Sequence, residues 1–150
     1  MTAFRRLERR WVNRVINPVV VALLRRGLAP PTYALVETVG RTTGKARVVP
    51  VASGLDGQTF WFFAALGEQA SFVRNIAINP RVRVLVRPSR LRDGWRSRWR
   101  DGTAVALPND AAWARHHDLG RGRPLYRLDG ILLRRLAAGR LPLTIRVDLD

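Results

Sequence analysis

The spacing of apolar residues separates a helical start from a strand-rich remainder of the chain. Apolar residues recur at helical spacing from Phe4 to Val15. A second helical piece begins at Asn17, which can cap it, and ends at Gly27 after two arginines. The pattern therefore predicts a helical extension over residues 1–32 in front of the main domain.

Beyond residue 32, short runs of alternating apolar and polar residues predict strands. About six strands are expected, over residues 33–39, 47–53, 60–63, 82–86, 96–107 and 143–149. Helices are expected between them, over residues 70–78, 109–119 and 131–138. Because hairpin-linked strands dominate and helices only interrupt them, the order favours an α+β fold with a mainly antiparallel barrel over a doubly wound sheet. We expect a single domain over residues 1–150.

Charge is the unusual feature of the composition. The 150 residues include 27 Lys and Arg against 11 Asp and Glu, a net charge of +16, and Lys45 is the only lysine. Such a field attracts anions, so nucleic acid, an acidic membrane or a polyanionic small molecule are candidate partners. The absence of cysteine excludes disulfides and thiolate chemistry. With no apolar run near the roughly 20 residues that span a bilayer and no signal peptide pattern, a cytoplasmic protein is expected.

Catalytic side chains are scarce. His116 and His117 are the only histidines, and adjacent residues diverge around a helix, so no metal site is expected and a solvated helix surface is favoured for both. No serine lies in a Gly-x-Ser-x-Gly motif. If the chain is an enzyme, a cofactor is therefore expected to supply the reactivity.

The loop at residues 40–47 is the best candidate anion site. It combines glycines, hydroxyl groups and cations that suit a phosphate: Gly40, Arg41, Thr42, Thr43, Gly44, Lys45 and Arg47. It is not a Walker A loop, because only three residues separate the glycines and Ala46 stands where Ser or Thr is required. A solvated basic hairpin loop explains the same residues.

Three other segments each have a binding and a structural interpretation. Arg74 and Asn75 lie on the predicted helix at 70–78, where an ordinary polar helix face is the alternative. Alternating Arg and Trp over residues 87–100 suit single-stranded nucleic acid or an exposed barrel hairpin with inward-packed tryptophans. The basic amphipathic start could lie on an anionic membrane or cover an open end of the barrel.

Taken in order, these segments resemble the deazaflavin-dependent nitroreductase and quinone reductase family of actinobacterial split β-barrel proteins. The resemblance rests on VETVGRTTGKARVVP at residues 36–50, GLDG at 54–57, FVRNI at 72–76 and NPRV at 79–82. It implies a split β-barrel of the type that binds flavin mononucleotide (FMN).

The resemblance also implies a cofactor and a reaction. The cofactor would be the reduced deazaflavin coenzyme F420, with FMN as the alternative, and its hydride would pass to a quinone, nitroaromatic or activated alkene. The residues that would bind F420 are Arg41, Thr42, Thr43, Gly44, Lys45 and Arg47 around the phosphate, Pro50, Ala64, Ala65 and Gly67 around the ring, and Arg74 and Asn75 on the helix. Tyr126 or water would protonate the acceptor.

Several partners follow as expectations. Residues 1–27 could make a peripheral membrane contact, and split barrels of this type often pair, so a homodimer is possible by the same resemblance. Nucleic acid is not expected, because no nucleic-acid-binding motif accompanies the basic segments. The alternative function is a non-catalytic barrel that holds nucleic acid, a lipid or a flavin through its basic surface.

Overall fold

Seven antiparallel strands form one curled sheet, a half-barrel, in the part of the chain that this computed structural model describes, residues 17–26, 33–86 and 97–150. The order across the sheet is β2-β1-β5-β6-β7-β4-β3. The strands are β1 (Tyr33–Val39), β2 (Ala46–Ala52), β3 (Gly54–Asp56), β4 (Thr59–Ala64), β5 (Arg81–Val86), β6 (Arg98–Leu107) and β7 (Leu143–Leu149). The predicted antiparallel split barrel is confirmed.

The structure has one strand more than the six predicted, and that strand is β3. Residues 54–56 pair with β4 in the register Gly54↔Trp61 and Asp56↔Thr59. The Asp56-Gly57 turn predicted from the sequence closes this hairpin, and Gly57 has a φ of +60°. The strand is only three residues long, which is too short for alternation to reveal it.

Four α-helices lie in the described residues: α1 (Asn17–Arg25), α2 (Ser71–Ile78), α3 (Ala112–Leu119) and α4 (Pro124–Ala137). The predicted helix at 131–138 in fact begins at Pro124. Its buried face includes Tyr126 and Gly130, and these residues interrupt an aliphatic pattern. The first predicted helix, from residue 4 to residue 15, lies outside the described residues.

The start of α3 also differs from the prediction. The sequence pattern placed a capped helix start at residue 109, but the helix begins at Ala112 and has no side-chain cap. Asp110 instead accepts two hydrogen bonds from Arg115, Nε to Oδ2 and Nη2 to Oδ1, each at 2.8 Å. The carboxylate is therefore used in an ion pair with the helix rather than as its cap.

The main core fills the concave face of the sheet, where α2 packs. Alternate residues of the strands point inward, among them Phe60, Phe62, Val84 and Ile145. From α2, Phe72 approaches Phe62 with ring centroids 5.8 Å apart. This contact packs α2 against β4.

Helices cover parts of the other face. Val20 and Val21 of α1 pack on Leu35 and Leu85. On β4, Trp61 and Phe63 alternate with the inward phenylalanines, so α3 lies on the outer face where it meets them. The Arg115 guanidinium lies 3.9 Å from the Trp61 ring centroid, and the His116 and Phe63 ring centroids are 5.4 Å apart.

Candidate functional site: the loop at residues 40–47

The candidate anion loop is the turn of the β1–β2 hairpin. The Gly40 N–H donates to the Lys45 carbonyl at 2.8 Å, and the Gly44 N–H donates to the Gly40 carbonyl at 2.8 Å. Gly44 has a φ of +67°, a conformation that favours glycine. The Lys45 N–H donates to Thr43 Oγ1 at 3.3 Å. The turn is thus held by its own backbone, and Lys45 and Arg47 are exposed.

Asn75 of α2 ties this loop to the body of the protein. Its Oδ1 accepts hydrogen bonds from the Arg41 backbone N–H at 3.2 Å and from Arg41 Nη1 at 3.1 Å. Its Nδ2 donates to Thr38 Oγ1 at 3.1 Å. Asn75 is 4% exposed and Thr38 is 1% exposed. Buried polar groups that are fully paired hold a single geometry, so Asn75 orients Arg41.

The position of Asn75 corrects one alternative from the sequence. An ordinary polar helix face would leave Asn75 in solvent, but it is buried between α2 and β1. Arg74, its neighbour, does lie on the exposed side, and its Nε donates to the Glu68 carbonyl at 3.4 Å. The two residues that the sequence placed together therefore occupy different environments.

The cations of the loop are not neutralised by carboxylates in the described part of the chain. Lys45 and Arg47 are exposed, and within the described residues no carboxylate lies at ion-pair distance from either. Arg41 Nη1 is used by Asn75 and, at 3.5 Å, by the Ser71 carbonyl. A phosphate fits such a site, because uncompensated cations and hydroxyl groups are what phosphate oxygens bind.

The ring-site residues predicted from the resemblance lie on β2 and on the segment between β4 and α2. Ala64 ends β4, Ala65 follows it, and Gly67, with a φ of +57°, begins the 3-10 turn that leads into α2. Pro50 lies in β2, opposite Leu35 of β1. Of the predicted residues outside the loop, only Asn75 makes a hydrogen bond to it in the part of the chain that is described.

Two supporting residues were not predicted from the sequence. Thr38 lies at an inward position of β1, two residues after Val36, and accepts from Asn75. Ser71 offers its carbonyl to Arg41. A polar residue at a core-facing position of a strand is a visible signal, and it could have identified Thr38.

A second polar cluster lies where α3 meets α4. The His116 ring stacks on Tyr126 with centroids 4.7 Å apart, and His116 Nε2 lies 3.8 Å from Asp129 Oδ2. The solvated surface expected for His116 is wrong, because the side chain is buried, whereas His117 is exposed. Gly130 makes room for it: a Cβ at Gly130 would lie 2.9 Å from His116 Cε1.

Tyr126 is almost completely buried, and its hydroxyl has no hydrogen-bond partner in the described residues. Burial, followed by the nearby Asp129 carboxylate, raises the pKa of the Tyr126 phenol. No hydrogen bond or ring contact joins this cluster to the loop at 40–47 within the described chain. The hydrogen bonds that hold Arg41 therefore do not extend to Tyr126, whose stacking partner His116 contacts Phe63 next to Ala64.

The basic segment at 87–100 is described only from residue 97. Trp99 packs against the Leu35 and Leu85 cluster, and the Arg83 guanidinium lies 5.0 Å from its ring centroid. Trp99 therefore packs on the outer face of the sheet, beside Val20 and Val21 of α1, and not inward as the hairpin interpretation expected. Trp95 lies outside the described residues.

Comparisons with known proteins identify the family. The family model of the F420H2-dependent quinone reductases matches residues 8–123. No curated protein gives a match. Among solved structures, an F420-H2 dependent reductase, FDR-A, is 22% identical, with 77% of this chain and 93% of that one covered and a TM-score of 0.52.

Two further solved structures have the same fold. One is a domain-swapped dimer, 20% identical, with 91% of this chain and 96% of that one covered and a TM-score of 0.54. The other is HutZ, the heme storage protein from Vibrio cholerae, 13% identical, with 87% of each chain covered and a TM-score of 0.53. Because the family model covers more than half of the sequence, the chain belongs to the F420H2-dependent quinone reductase family and is an oxidoreductase whose cofactor is the deazaflavin F420.

Proposed function

We propose that this chain transfers a hydride from reduced F420 to a quinone, with nitroaromatics and activated alkenes as acceptors of the same electrophilic type. The observation that carries the proposal is the loop at 40–47, in which Lys45 and Arg47 are exposed with no carboxylate partner among the described residues, while Asn75 orients Arg41. A phosphate-bearing cofactor is what such a loop suits in a chain of this family.

The loop residues would hold the cofactor phosphate. Arg41, Lys45 and Arg47 supply positive charge, and hydrogen bonds between charged groups are stronger than neutral ones. The hydroxyl groups of Thr42 and Thr43 would add contacts to phosphate oxygens. The space beside Gly44 is open, because a Cβ built there meets nothing within 4 Å.

Small residues would accommodate the deazaflavin ring, which supplies the hydride when bound. Ala64, Ala65 and Gly67 present little side-chain bulk after β4, and Pro50 has a rigid ring that would shape the opposite wall. The chain would contribute orientation of two planar partners and positive charge near the acceptor as negative charge develops. Arg74, exposed on α2, is the cation proposed for the outer edge of this site.

Water is the proton source that we favour for the reduced acceptor. Tyr126 is the alternative that follows from the resemblance, but its hydroxyl is buried and its raised pKa makes it a weaker acid. A general acid works best when its pKa is close to the working pH. Tyr126 therefore suits packing against His116 better than proton donation.

Fluorescence titration with F420 tests the proposal. Lys45→Ala and Arg47→Ala should each weaken F420 binding about tenfold or more, since a charged hydrogen bond contributes roughly 1.5–3 kcal/mol. Arg98→Ala is the matched control, because Arg98 is also exposed and lies far along the chain. Equal effects of all three substitutions would contradict a phosphate site at the loop, and tight FMN binding would contradict the cofactor specificity.

Besides the acceptor, we propose two partners: a second copy of the chain and a membrane surface. A solved structure of this fold that is a domain-swapped dimer supports the homodimer. For the membrane contact through residues 1–27, the described part is α1, whose Val19 and Leu23 are exposed. In the described residues, none of the helices combines the length and the apolar character needed to cross a bilayer.

A further inference from the structure

The outer side of α4 exposes a row of leucines. Leu125, Leu128, Leu132 and Leu136, here called the leucine face, are 56%, 60%, 48% and 41% exposed. Their spacing of three and four residues places them on one side of the helix. Ile131 of the same helix is 56% exposed, and Leu141, which follows α4 in the chain, is 79% exposed.

The helix cannot turn to bury these side chains, because its other side is already packed. Tyr126, Gly130, Leu133 and Ala137 are buried, and Gly130 lies directly against His116. Of the eleven large apolar residues that are exposed in the described chain, five lie on α4. Exposed apolar surface gathered in this way marks an interaction site.

Positive charge surrounds the leucine face. Residues 121–140 contain six arginines, at positions 121, 123, 127, 134, 135 and 140, and a single carboxylate, Asp129. Asp129 is half-buried beside His116, whereas the arginines are exposed. An occupant must therefore accept leucine side chains and also offer negative charge.

We propose that the leucine face of α4 docks on the surface of a bilayer that contains anionic lipids. Leucine side chains would enter the boundary of the acyl chains while the arginines pair with headgroup phosphates. A second copy of the chain fits less well, because it would bring together two chains of net charge +16 with the same arginines facing each other. At 14 residues, α4 lies along a bilayer rather than across it.

This surface is separate from the family match and from the amphipathic start of the chain. The family model ends at residue 123, and α4 begins at residue 124. Docking through α4 determines only the location of the protein, and it does not require that quinone is the acceptor. Docking there would bring the reductase to acceptors that dissolve in lipid.

Vesicle flotation of the full chain tests this proposal. The unchanged chain should float with phosphatidylcholine vesicles that contain phosphatidylglycerol and much less with phosphatidylcholine alone. Leu128→Gln combined with Leu132→Gln should weaken this binding at least about tenfold. Each substitution removes the free energy that a leucine side chain gains when it leaves water for the acyl chains. Ile78→Gln is the matched control, since Ile78 is 72% exposed on α2, and it should bind like the unchanged chain.

A double substitution of arginines tests whether positive charge contributes to vesicle binding. Arg127→Gln combined with Arg135→Gln should lower binding to the anionic vesicles and flatten its dependence on salt, because salt screens exposed charges. Circular dichroism and F420 titration of every variant check the fold. If the first leucine pair alters the fold, Leu125→Gln combined with Leu136→Gln replaces it.

Three results would overturn the proposal. Vesicle binding could survive the leucine substitutions and disappear with Trp11→Gln, which would place the contact in the amphipathic start. The unchanged chain could fail to float with the anionic vesicles. The leucine substitutions could instead dissociate a dimer in size-exclusion chromatography, which would make a second copy the occupant.

Discussion

The loop at 40–47 and the His116–Tyr126 cluster both depend on buried polar side chains, but they use them in opposite ways. At the loop, both ends of the Asn75 amide are paired, with Arg41 and with Thr38. In the cluster, His116 Nε2 and the Tyr126 hydroxyl are buried without hydrogen-bond partners in the described chain. The paired network orients an exposed cation, whereas the unpaired cluster contributes packing. Pairing, rather than burial, distinguishes the proposed cofactor site from the packing cluster.

Asn75→Ala should have the largest effect on this comparison. It leaves the Thr38 hydroxyl and the Arg41 backbone N–H without their partner, and each unsatisfied buried group costs roughly 1–3 kcal/mol. We expect a loss of about 3 kcal/mol in the free energy of unfolding and F420 binding weakened at least about tenfold. Chemical denaturation and fluorescence titration measure the two. Asn79→Ala, at a neighbouring asparagine whose Oδ1 accepts from the Arg81 N–H at an exposed site, is the control and should change F420 affinity little.

Gly130→Ala should lower stability without touching the loop. The new Cβ would lie 2.9 Å from His116 Cε1, and overpacking of this kind costs roughly 1–3 kcal/mol, partly offset by the better helix propensity of alanine. We expect a net loss of about 1 kcal/mol in thermal unfolding. F420 affinity should stay unchanged, and a parallel loss of affinity would mean that the two regions are coupled.

Asp110→Asn should weaken the ion pair with Arg115 in a pH-dependent way. The hydrogen bond from Arg115 lowers the pKa of Asp110, so the pair stabilises the fold above the ordinary aspartate pKa and loses that effect as the pH falls through the lowered value. We expect the melting temperatures of the two chains to differ at neutral pH and to converge in strong acid. A difference that does not change with pH would contradict the ionic role of the pair.

Tyr126→Phe should have the smallest effect. Its hydroxyl has no partner in the described residues, so removing it should change the free energy of unfolding by no more than about 1 kcal/mol. The rate constant kcat for acceptor reduction should change by less than about twofold if water is the proton source. A fall of about a hundredfold, typical of a lost general acid, would instead make Tyr126 the donor.

Local sequence pattern predicted most of the strands and the region of the site. The alternation of Val82 and Val84 with Arg81 and Arg83 matches the inward and outward faces of β5. The glycines, threonines and cations of residues 40–47 predicted a hairpin turn, and the structure has that turn. The start of α4 escaped prediction, because Tyr126 and Gly130 occupy its buried face and neither looks like a core position in a sequence.

The residue pattern alone specified the antiparallel strands, the excess of positive charge and the residue types of the proposed phosphate loop. Each of these follows from residues that are close together in the chain, where turn chemistry and alternation act. Long-range packing, in contrast, set three features: Asn75 holds Arg41, 34 residues away, His116 is buried against Gly130, and the leucines of α4 face outward. These outcomes depend on which surfaces meet when the sheet curls and the helices pack, and no local pattern carries that information.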